Sequence, residues 1–531
     1  MKKSLFKKVF AGAIAITLAF GVMGCSKKSN DAPNNTEVDV VNNEQVKQEL
    51  VIGENVDLGG YDPVKDMSSF VRFLVFDCLV ELGYNYEKVP GLATKWEMSD
   101  DGKTWTFTLR ENVKFHDGAD WNSEAARINF QHRIDAGTSG FYKSIESMET
   151  PDEYTFVINF SKPLYTFASD VAQPTYGMVS PNAFDEEHKV TNAIGTGPFK
   201  LDSWNKDVDF TMIANNDFYD GAPKLEKLTF KVITDGNARA MALEGGEIDM
   251  MSGRSALTSL ESLKSKENIQ IIKTMGQTSE LVMINTFDEI MSDLNIRKAV
   301  AASVDFASAV PALLMDLAEP AVNFFSPVFG EYVDSDLKLP EYNPEFAKEC
   351  LTNAGYTDTN NDGIVDKNGT KLSLDLIVDA KNEEDKALAS VMQNQLLENG
   401  IELNITMLDS AAIKEKTSSH EYQMAMQGQN YVPSDDPSVH YRNGYYHSDS
   451  FYNIYSTPEL DKKIDTLFNS LDSSERIALH KEVQKEITEQ VPVIMMFHRN
   501  NIIIADKKLK GYEMAKGTWQ IYKGLEKAYV E

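Results

Sequence analysis

Cysteine is scarce in this sequence of 531 residues, which contains only Cys25, Cys78 and Cys350. Cys78 and Cys350 lie far apart along the chain and lack the short spacing of metal-binding cysteine pairs. We expect both to be buried free thiols, because an unpaired cysteine packs as a small apolar side chain. A disulfide between them is the alternative.

Recognised catalytic motifs are also missing. The sequence has no G-x-S-x-G, no H-E-x-x-H and no P-loop, and its eight histidines are scattered. No nucleophile with an adjacent base can be proposed from such a pattern. We therefore expect a protein that is not an enzyme and that requires no cofactor.

Positive charge is in deficit, with 52 Lys and Arg against 81 Asp and Glu, so that the net charge is -29. Such a surface repels nucleic acid and anionic headgroups and keeps a protein soluble. No apolar run after residue 24 is long enough to span a bilayer. We expect a monomer with no nucleic-acid partner, divided into at least two lobes because 531 residues exceed one hydrophobic core.

The first 24 residues have the pattern of a secretory signal. Four lysines precede an apolar segment, residues 9–20, and the residues V-M-G at 22–24 stand directly before Cys25. This pattern predicts a lipoprotein signal over residues 1–24, with Cys25 as the lipidated first residue of the mature protein. Residues 25–47 are polar and rich in Asn, which predicts a flexible linker on the outer face of the membrane.

Residues 93–118 alternate between apolar and polar side chains around an Asp-Asp-Gly turn. Trp96, Trp105, Phe107 and Leu109 share one side of this alternation, which is typical of a hairpin with one buried face. Asp-Gly supplies the positive φ that a two-residue turn requires. We also expect a helix that starts with Ser123 as its N-cap.

The order of these residues resembles the signature of bacterial extracellular solute-binding protein family 5, the receptors of peptide and nickel ABC importers. The same resemblance extends through G-T-G-P-F-K at 195–200 and the helices near 238–249 and 343–356. It implies an α/β fold of the two-lobe periplasmic-binding-protein type with two hinge crossings. Lobe I would comprise residues 48–284 plus 499–531, with an inserted hairpin subdomain, and lobe II residues 285–498. The partners it implies are an importer permease and its ATPase.

One loop resembles a calcium site. Oxygen ligands stand at loop positions 1, 3, 5 and 9, with Gly363 at position 6; these ligands are Asp358, Asn360, Asp362 and Asp366. Position 12 is Gly369, so the bidentate carboxylate of such loops is absent. Asp, Asn and Gly are also the preferred residues of a surface turn, and both structural calcium and a bare turn stay open.

Residues 427–453 match the segment that closes over ligand in the family. Peptide-binding members carry an aspartate four residues before the proline of an Asp-Pro pair, where it holds the peptide's α-ammonium. Here that proline is Pro437 and the earlier position is Pro433. Asp435 is the carboxylate that a shifted alignment would supply.

Nickel-binding members are the closer match in several places. In those members a histidine downstream of Asp-Pro assists an organic chelator in holding the metal. His447 lies at about that distance and His440 is a second candidate, since neutral imidazole is a good nickel ligand. The arginine that grips the chelator would fall near Ser139. Residues that substitute for it, or that form the aromatic wall of the cleft, are Arg133, Arg127, Arg442, Tyr431, Tyr445 and Tyr446.

These observations predict a receptor that captures nickel, or a similar metal, as an organic chelate between its two lobes. The alternative is a receptor for di- or oligopeptides. A third alternative is a surface lipoprotein that senses peptides, or acts as an adhesive partner, without transport.

Overall fold

The computed structural model describes residues 46–65, 74–137, 141–252, 257–429 and 435–531. The predicted signal, Cys25 and nearly all of the predicted linker lie outside these ranges, as do Tyr431, Pro433 and Ser139. Within them, no helix combines the length and the apolar character that crossing a membrane demands.

The described chain is a mixture of strands and helices. The strands are β1 (Glu49–Glu54), β2 (Val80–Leu82), β3 (Lys88–Pro90), β4 (Ala93–Met98), β5 (Thr104–Leu109), β6 (Ile145–Asp152), β7 (Thr155–Phe160), β8 (Phe199–Asn205), β9 (Asp209–Ala214), β10 (Lys227–Val232), β11 (Met250–Ser252), β12 (Ile269–Ile284), β13 (Ala318–Pro320), β14 (Asp366–Lys367), β15 (Thr370–Lys371), β16 (Ser373–Asp379), β17 (Glu402–Leu408), β18 (Met424–Gln429), β19 (Val493–Asp506), β20 (Leu509–Lys510) and β21 (Tyr529–Val530). The α-helices are α1 (Ser123–Asp135), α2 (Phe167–Asp170), α3 (Gly236–Glu244), α4 (Leu257–Lys264), α5 (Leu294–Ala302), α6 (Phe306–Leu314), α7 (Pro344–Asn353), α8 (Glu383–Glu398), α9 (Ser410–Ser418), α10 (Pro458–Asn469) and α11 (Ser473–Gln490).

A single eleven-stranded sheet runs through the molecule in the order β17-β16-β18-β12-β19-β11-β1-β10-β9-β8, with β13 on β19. The long strands β12 and β19 are antiparallel to each other and pair along most of their length. One end of β19 pairs with β11, and one end of β12 pairs with β18. We call the chain before β12 and after β19 the first lobe, and the chain between them the second lobe.

These features confirm the predicted α/β fold of two lobes joined by two crossing strands. The predicted lobe boundaries fall at the end of β12 and inside β19, and they stay a prediction.

The predicted hairpin is β4 and β5, which pair in an antiparallel register with Met98 opposite Trp105. Trp105, Phe107 and Leu109 are buried, as their alternation predicts. The turn is longer than the predicted two residues: Ser99 N donates to Thr104 O over 2.9 Å, and Gly102 takes the positive φ of 69°. Asp101 Oδ1 stabilises this wider turn by accepting from Ser99 Oγ at 2.6 Å and Lys103 N at 3.1 Å.

Helix α1 follows, and its cap corrects the sequence prediction by one residue. Asn122, not Ser123, is the N-cap, and its side chain accepts a hydrogen bond from Ala125 N at 3.0 Å. Ser123 is the first helical residue and donates its hydroxyl to Asp152 O at 2.7 Å. Asn and Ser are almost equally good N-caps, so the sequence alone did not separate them.

The largest apolar cluster combines residues of both lobes. Phe107 and Phe156 of the hairpin sheet β4-β5-β7-β6 belong to it, as do Phe325 and Tyr441 of the second lobe. The lobes are therefore in direct contact, and this contact positions the site.

The two ends of the described chain meet in the first lobe. Gln48 Nε2 donates to Val530 O at 3.0 Å, and Val530 N donates to Gln48 Oε1 at 3.0 Å. The second lobe is thus inserted between two segments of the chain that together form the first lobe.

Candidate functional site between the lobes

Polar side chains are concentrated where β12 and β19 pass between the lobes. Gln277 and Ser279 of β12, and His498 of β19, are all no more than 1% exposed. The ladder is irregular between Met275 and Ser279. A Cβ on Gly276 would lie 2.7 Å from Arg499 O, so the close approach of the two strands requires glycine there.

Among the described residues, three contacts between the lobes lie beside this crossing, and two of them involve the β2–β3 hairpin. Lys88 Nζ of β3 lies 2.5 Å from Asp435 Oδ2. The Tyr86 ring meets the edge of Phe329 with centroids 6.0 Å apart. These pairs fix the first lobe against the second at its β2–β3 hairpin.

A buried ion cluster, which we call the Asp436 cluster, supports the third contact. Arg476 Nη2 lies 2.5 Å from Asp436 Oδ2, and His480 Nε2 lies 3.3 Å from Asp436 Oδ1. Burial alone would raise the pKa of Asp436, but the hydrogen bond from His480 and the charges of His480 and Arg476 hold it well below its usual range. The Arg476 guanidinium also stacks 4.4 Å from the ring centroid of Tyr165 in the first lobe.

A cavity of about 370 Å³ opens in the first lobe and reaches β12 at Gln277. We call it the first-lobe cavity. Its walls come from the β2–β3 hairpin, the segments near 174 and 219, and the C-terminal segment 517–527. Its volume and its mixed apolar and polar walls are those of a small-molecule site.

Charged groups of both signs line this cavity. Lys523 Nζ donates to Glu81 Oε2 at 3.0 Å and to Leu82 O at 2.7 Å. Asp77 Oδ2 accepts from Thr196 Oγ1 at 2.8 Å. Burial raises the pKa of Asp77 to about 8, with the charge of Glu81 adding to the effect.

Arg110 occupies the same wall. Its Nε donates to Gly91 O at 3.1 Å, and its guanidinium carbon lies 4.8 Å from the ring centroid of Tyr219. This stacking and the Nε bond fix the plane of the guanidinium.

Cys78 also lines the cavity, as a thiol. Burial raises its pKa well above the ordinary value, and its Sγ donates to Gln173 O at 3.4 Å. Cys78 and Cys350 are both buried and free. The prediction of two free thiols is confirmed, and the alternative disulfide is wrong.

The structure places the predicted metal ligand His447 away from this cavity. Its Nε2 lies 3.6 Å from Asp465 Oδ1 on α10, and Asp449 N donates to its Nδ1 at 3.0 Å. Arg442 meets the same carboxylate, with Nη1 2.6 Å from Asp465 Oδ1. His447 and Arg442 thus come together at α10 and not against the first-lobe cavity.

His440, Tyr445 and Tyr446 pack into the second-lobe part of the large apolar cluster. Burial lowers the pKa of His440 to about 3, so its imidazole is neutral, and its ring lies 6.5 Å from Phe325. Tyr445 stacks on Tyr452 with centroids 5.2 Å apart. None of the three is among the described residues that line the first-lobe cavity.

The arginines predicted to grip a chelator bind protein groups instead. Arg133 is 1% exposed and donates to Asn129 O, Thr175 O and Gly177 O at 2.8–3.0 Å. Arg127 pairs with Glu124 at 2.6 Å on the surface of α1. In the described ranges, no three or more His, Cys, Asp or Glu side chains form a group that could hold a metal ion.

The loop at 358–366 is closed by its own hydrogen bonds. Asp358 accepts from Asp362 N at 3.2 Å and Gly363 N at 3.0 Å, and Asn360 Oδ1 accepts from Asp362 N. Lys371 Nζ lies 2.7 Å from Asp362 Oδ2. Asp366 receives the Thr359 amide and hydroxyl, which lower its pKa. This geometry is that of a turn, and calcium binding stays a prediction.

Sequence analysis missed Lys88, Arg110, Gln277, Arg476 and Lys523. Arg110 stood within the signature segment, and its position at the end of a strand facing a turn was the available signal. The other four carry no local pattern.

Comparison with known proteins agrees with this architecture. A sequence profile for bacterial extracellular solute-binding proteins, family 5 Middle, matches residues 87–451. The nickel-binding periplasmic protein of Escherichia coli is 25% identical over 455 residues, covering 83% of this chain and 86% of that protein. The oligopeptide-binding protein AppA of Bacillus subtilis is 25% identical over 481 residues, covering 87% of this chain and 88% of AppA.

Among solved structures, NikA from Brucella suis in complex with Fe(III)-EDTA superimposes with a TM-score of 0.83 at 23% identity, covering 91% of this chain and 100% of that one. This likeness shows the two-lobe fold. Since the family profile spans well over half of the sequence, the chain belongs to the bacterial extracellular solute-binding proteins of family 5, which serve ABC importers as binding proteins and are not enzymes.

Proposed function

We propose that this protein captures a short peptide, or a zwitterion of similar size, in the first-lobe cavity and presents it to an importer permease. The observation that carries the proposal is the cavity itself: it reaches the crossing strand at Gln277, and its walls offer both carboxylates and cations. A peptide carries both charges and has an apolar body, so it complements these walls.

The wall of the cavity favours an organic cargo over a metal. No histidine in the described part of the chain lines it. Its one sulfur ligand in those ranges, Cys78, is held as a thiol by burial, whereas metals bind the thiolate. Similarity to the oligopeptide-binding AppA supports the same class of cargo.

A metal chelate is the second candidate. Similarity to the Escherichia coli nickel-binding protein favours it, as does the buried His447 imidazole beside Asp465. In that case the chelate would lie at α10, outside the first-lobe cavity.

Calorimetric titration of the purified protein separates the two candidates. We expect heat with a pool of di- to pentapeptides and none with Ni(II)-histidine, and unchanged peptide affinity in His447→Ala and His440→Ala. Heat with the nickel chelate alone, lost in His447→Ala, would overturn the peptide proposal.

A cargo that closes the lobes must bind the closed state better than the open state by a few kcal/mol, roughly a hundred-fold or more in affinity.

We also propose that the mature protein is a monomer anchored by lipid at Cys25, as the signal pattern suggests. Mass spectrometry of the mature N-terminus tests the anchor: a diacylglyceryl mass on Cys25 is expected, and an unmodified Cys25 would contradict it.

A peptide sensor without transport would bind peptides and yet leave peptide uptake by cells unchanged when its gene is deleted.

A further inference from the structure

Arg110 is a half-buried cation whose terminal nitrogens have no partner in the part of the chain that the structure describes. Its backbone N donates to Leu92 O at 2.8 Å and its Nε to Gly91 O at 3.1 Å. Neither Nη1 nor Nη2 makes a hydrogen bond or ion pair with a described residue. A cation in such a position gains from an anion supplied from outside.

The orientation of this guanidinium is fixed before any ligand arrives. Tyr219 covers one face of it at 4.8 Å, and the Nε bond sets its rotation. The free edge of an arginine held in this way presents two parallel N–H groups, the geometry that matches a carboxylate.

Lys523 and Glu526, two other charged groups of the cavity, already have protein partners. Lys523 is paired with Glu81 at 3.0 Å. Glu526 accepts from the Tyr84 hydroxyl at 3.2 Å and from Gly524 N at 2.7 Å. Lys527, the second lining cation without a carboxylate partner among the described residues, is exposed, so water solvates it.

We propose that Arg110 is the carboxylate anchor of the first-lobe cavity, so that the cargo must carry a free carboxylate, such as the C-terminus of a short peptide. This inference rests on the proposed function and names the group by which the cavity recognises its cargo. The charged edge of Arg110 binds the two carboxylate oxygens, and the ring of Tyr219 holds the guanidinium in place.

Titration with matched peptides tests the anchor. One tripeptide pool is prepared as the free acid and as the C-terminal amide, and each is titrated into the wild type, Arg110→Gln and the control Lys95→Gln, which removes an exposed cation of the first lobe outside the cavity. We expect the wild type and Lys95→Gln to bind the acid about ten- to a hundred-fold more tightly than the amide. We expect Arg110→Gln to bind both forms with the weak affinity of the amide.

The outcomes separate this inference from the proposed function. Equal binding of acid and amide by the wild type would overturn the anchor and leave the peptide receptor standing, and this comparison needs no variant to fold. Retention of the acid preference in Arg110→Gln, with an unchanged melting temperature, would also overturn it. Absence of heat with either pool overturns both proposals. Inorganic phosphate that binds the wild type as tightly as the acid pool, and not Arg110→Gln, would identify a free oxyanion as the occupant and overturn the peptide carboxylate.

Discussion

The Asp436 cluster and the first-lobe cavity each bury a carboxyl group near a cation, and their carboxyl groups respond in opposite directions. The pKa of Asp436 is held low because Arg476 and His480 meet its two oxygens. The pKa of Asp77 is raised to about 8 because burial is not matched by a cation in contact. Where the protein supplies a partner to both carboxylate oxygens, as at Asp436, the buried charges stabilise the fold. Where it leaves a partner out, as at Arg110, a ligand has a place.

Removing the cation of the Asp436 cluster should have the largest effect. Arg476→Met leaves a carboxylate that is 2% exposed without its main partner. Breaking one side of a buried pair costs about 3–5 kcal/mol. We expect the free energy of unfolding, measured by urea denaturation, to fall by about that amount.

The double variant Arg476→Met/Asp436→Asn sharpens this result, because it removes the orphaned charge. The loss in free energy of unfolding should be smaller in the double variant than the sum of the losses in the two single variants, by about 1 kcal/mol or more. Additive losses would mean that the cluster does not act as a unit, and the contrast with the cavity would fail.

Breaking the contact between Lys88 and Asp435 should have an intermediate effect. The two side chains are 28% and 18% exposed, so the pair contributes about 1 kcal/mol. We expect Lys88→Met without cargo to show a larger radius of gyration by X-ray scattering, because the lobes lose a direct ion pair.

The matched control for this variant is Lys95→Met, which removes an exposed pair with Glu97 inside the first lobe. It should leave the radius of gyration unchanged. The same expansion in both variants would show that loss of surface charge, and not loss of the contact between the lobes, is responsible.

The smallest effect concerns pH. Burial raises the pKa of Asp170 from 3.8 to about 7, with Asp436 and Asp435 adding repulsion and Lys88 opposing it. Protonated Asp170 therefore contributes its full share of stability below about pH 4, the pKa of this carboxyl group in the unfolded chain. This contribution is lost as the pH rises through about 7, its pKa in the folded protein. Relative to wild type, we expect the free energy of unfolding of Asp170→Asn to increase by about 1 kcal/mol between pH 5.5 and 8.5. The increase stays at this size because Asp170 is partly exposed, so that water screens its charge.

Denaturation at both pH values measures this gain, and the exposed control Asp202→Asn should show none. An equal pH dependence in Asp170→Asn and wild type would contradict the assignment to Asp170.

The sequence predicted the fold far better than the site. Strand β5 could be predicted because alternation at Trp105, Phe107 and Leu109 is local. The pair between Lys88 and Asp435 joins residues 347 positions apart, and no local pattern records such a contact. His447 and Arg442 were expected at a cleft, but their partner Asp465 lies on a helix about twenty residues later. Pairing of charges across elements is decided by packing, which single-sequence patterns do not contain.

The two hydrogen bonds between Gln48 and Val530 hold the ends of the described chain next to each other, so that the chain is almost a closed ring. A short linker from Glu531 to Val46 would close that ring without moving either lobe, and new termini could be cut at an exposed turn such as the one at Asn361. A circular permutant of this kind would carry its ends on the second lobe, where reporter proteins fused to them would follow the movement of one lobe against the other.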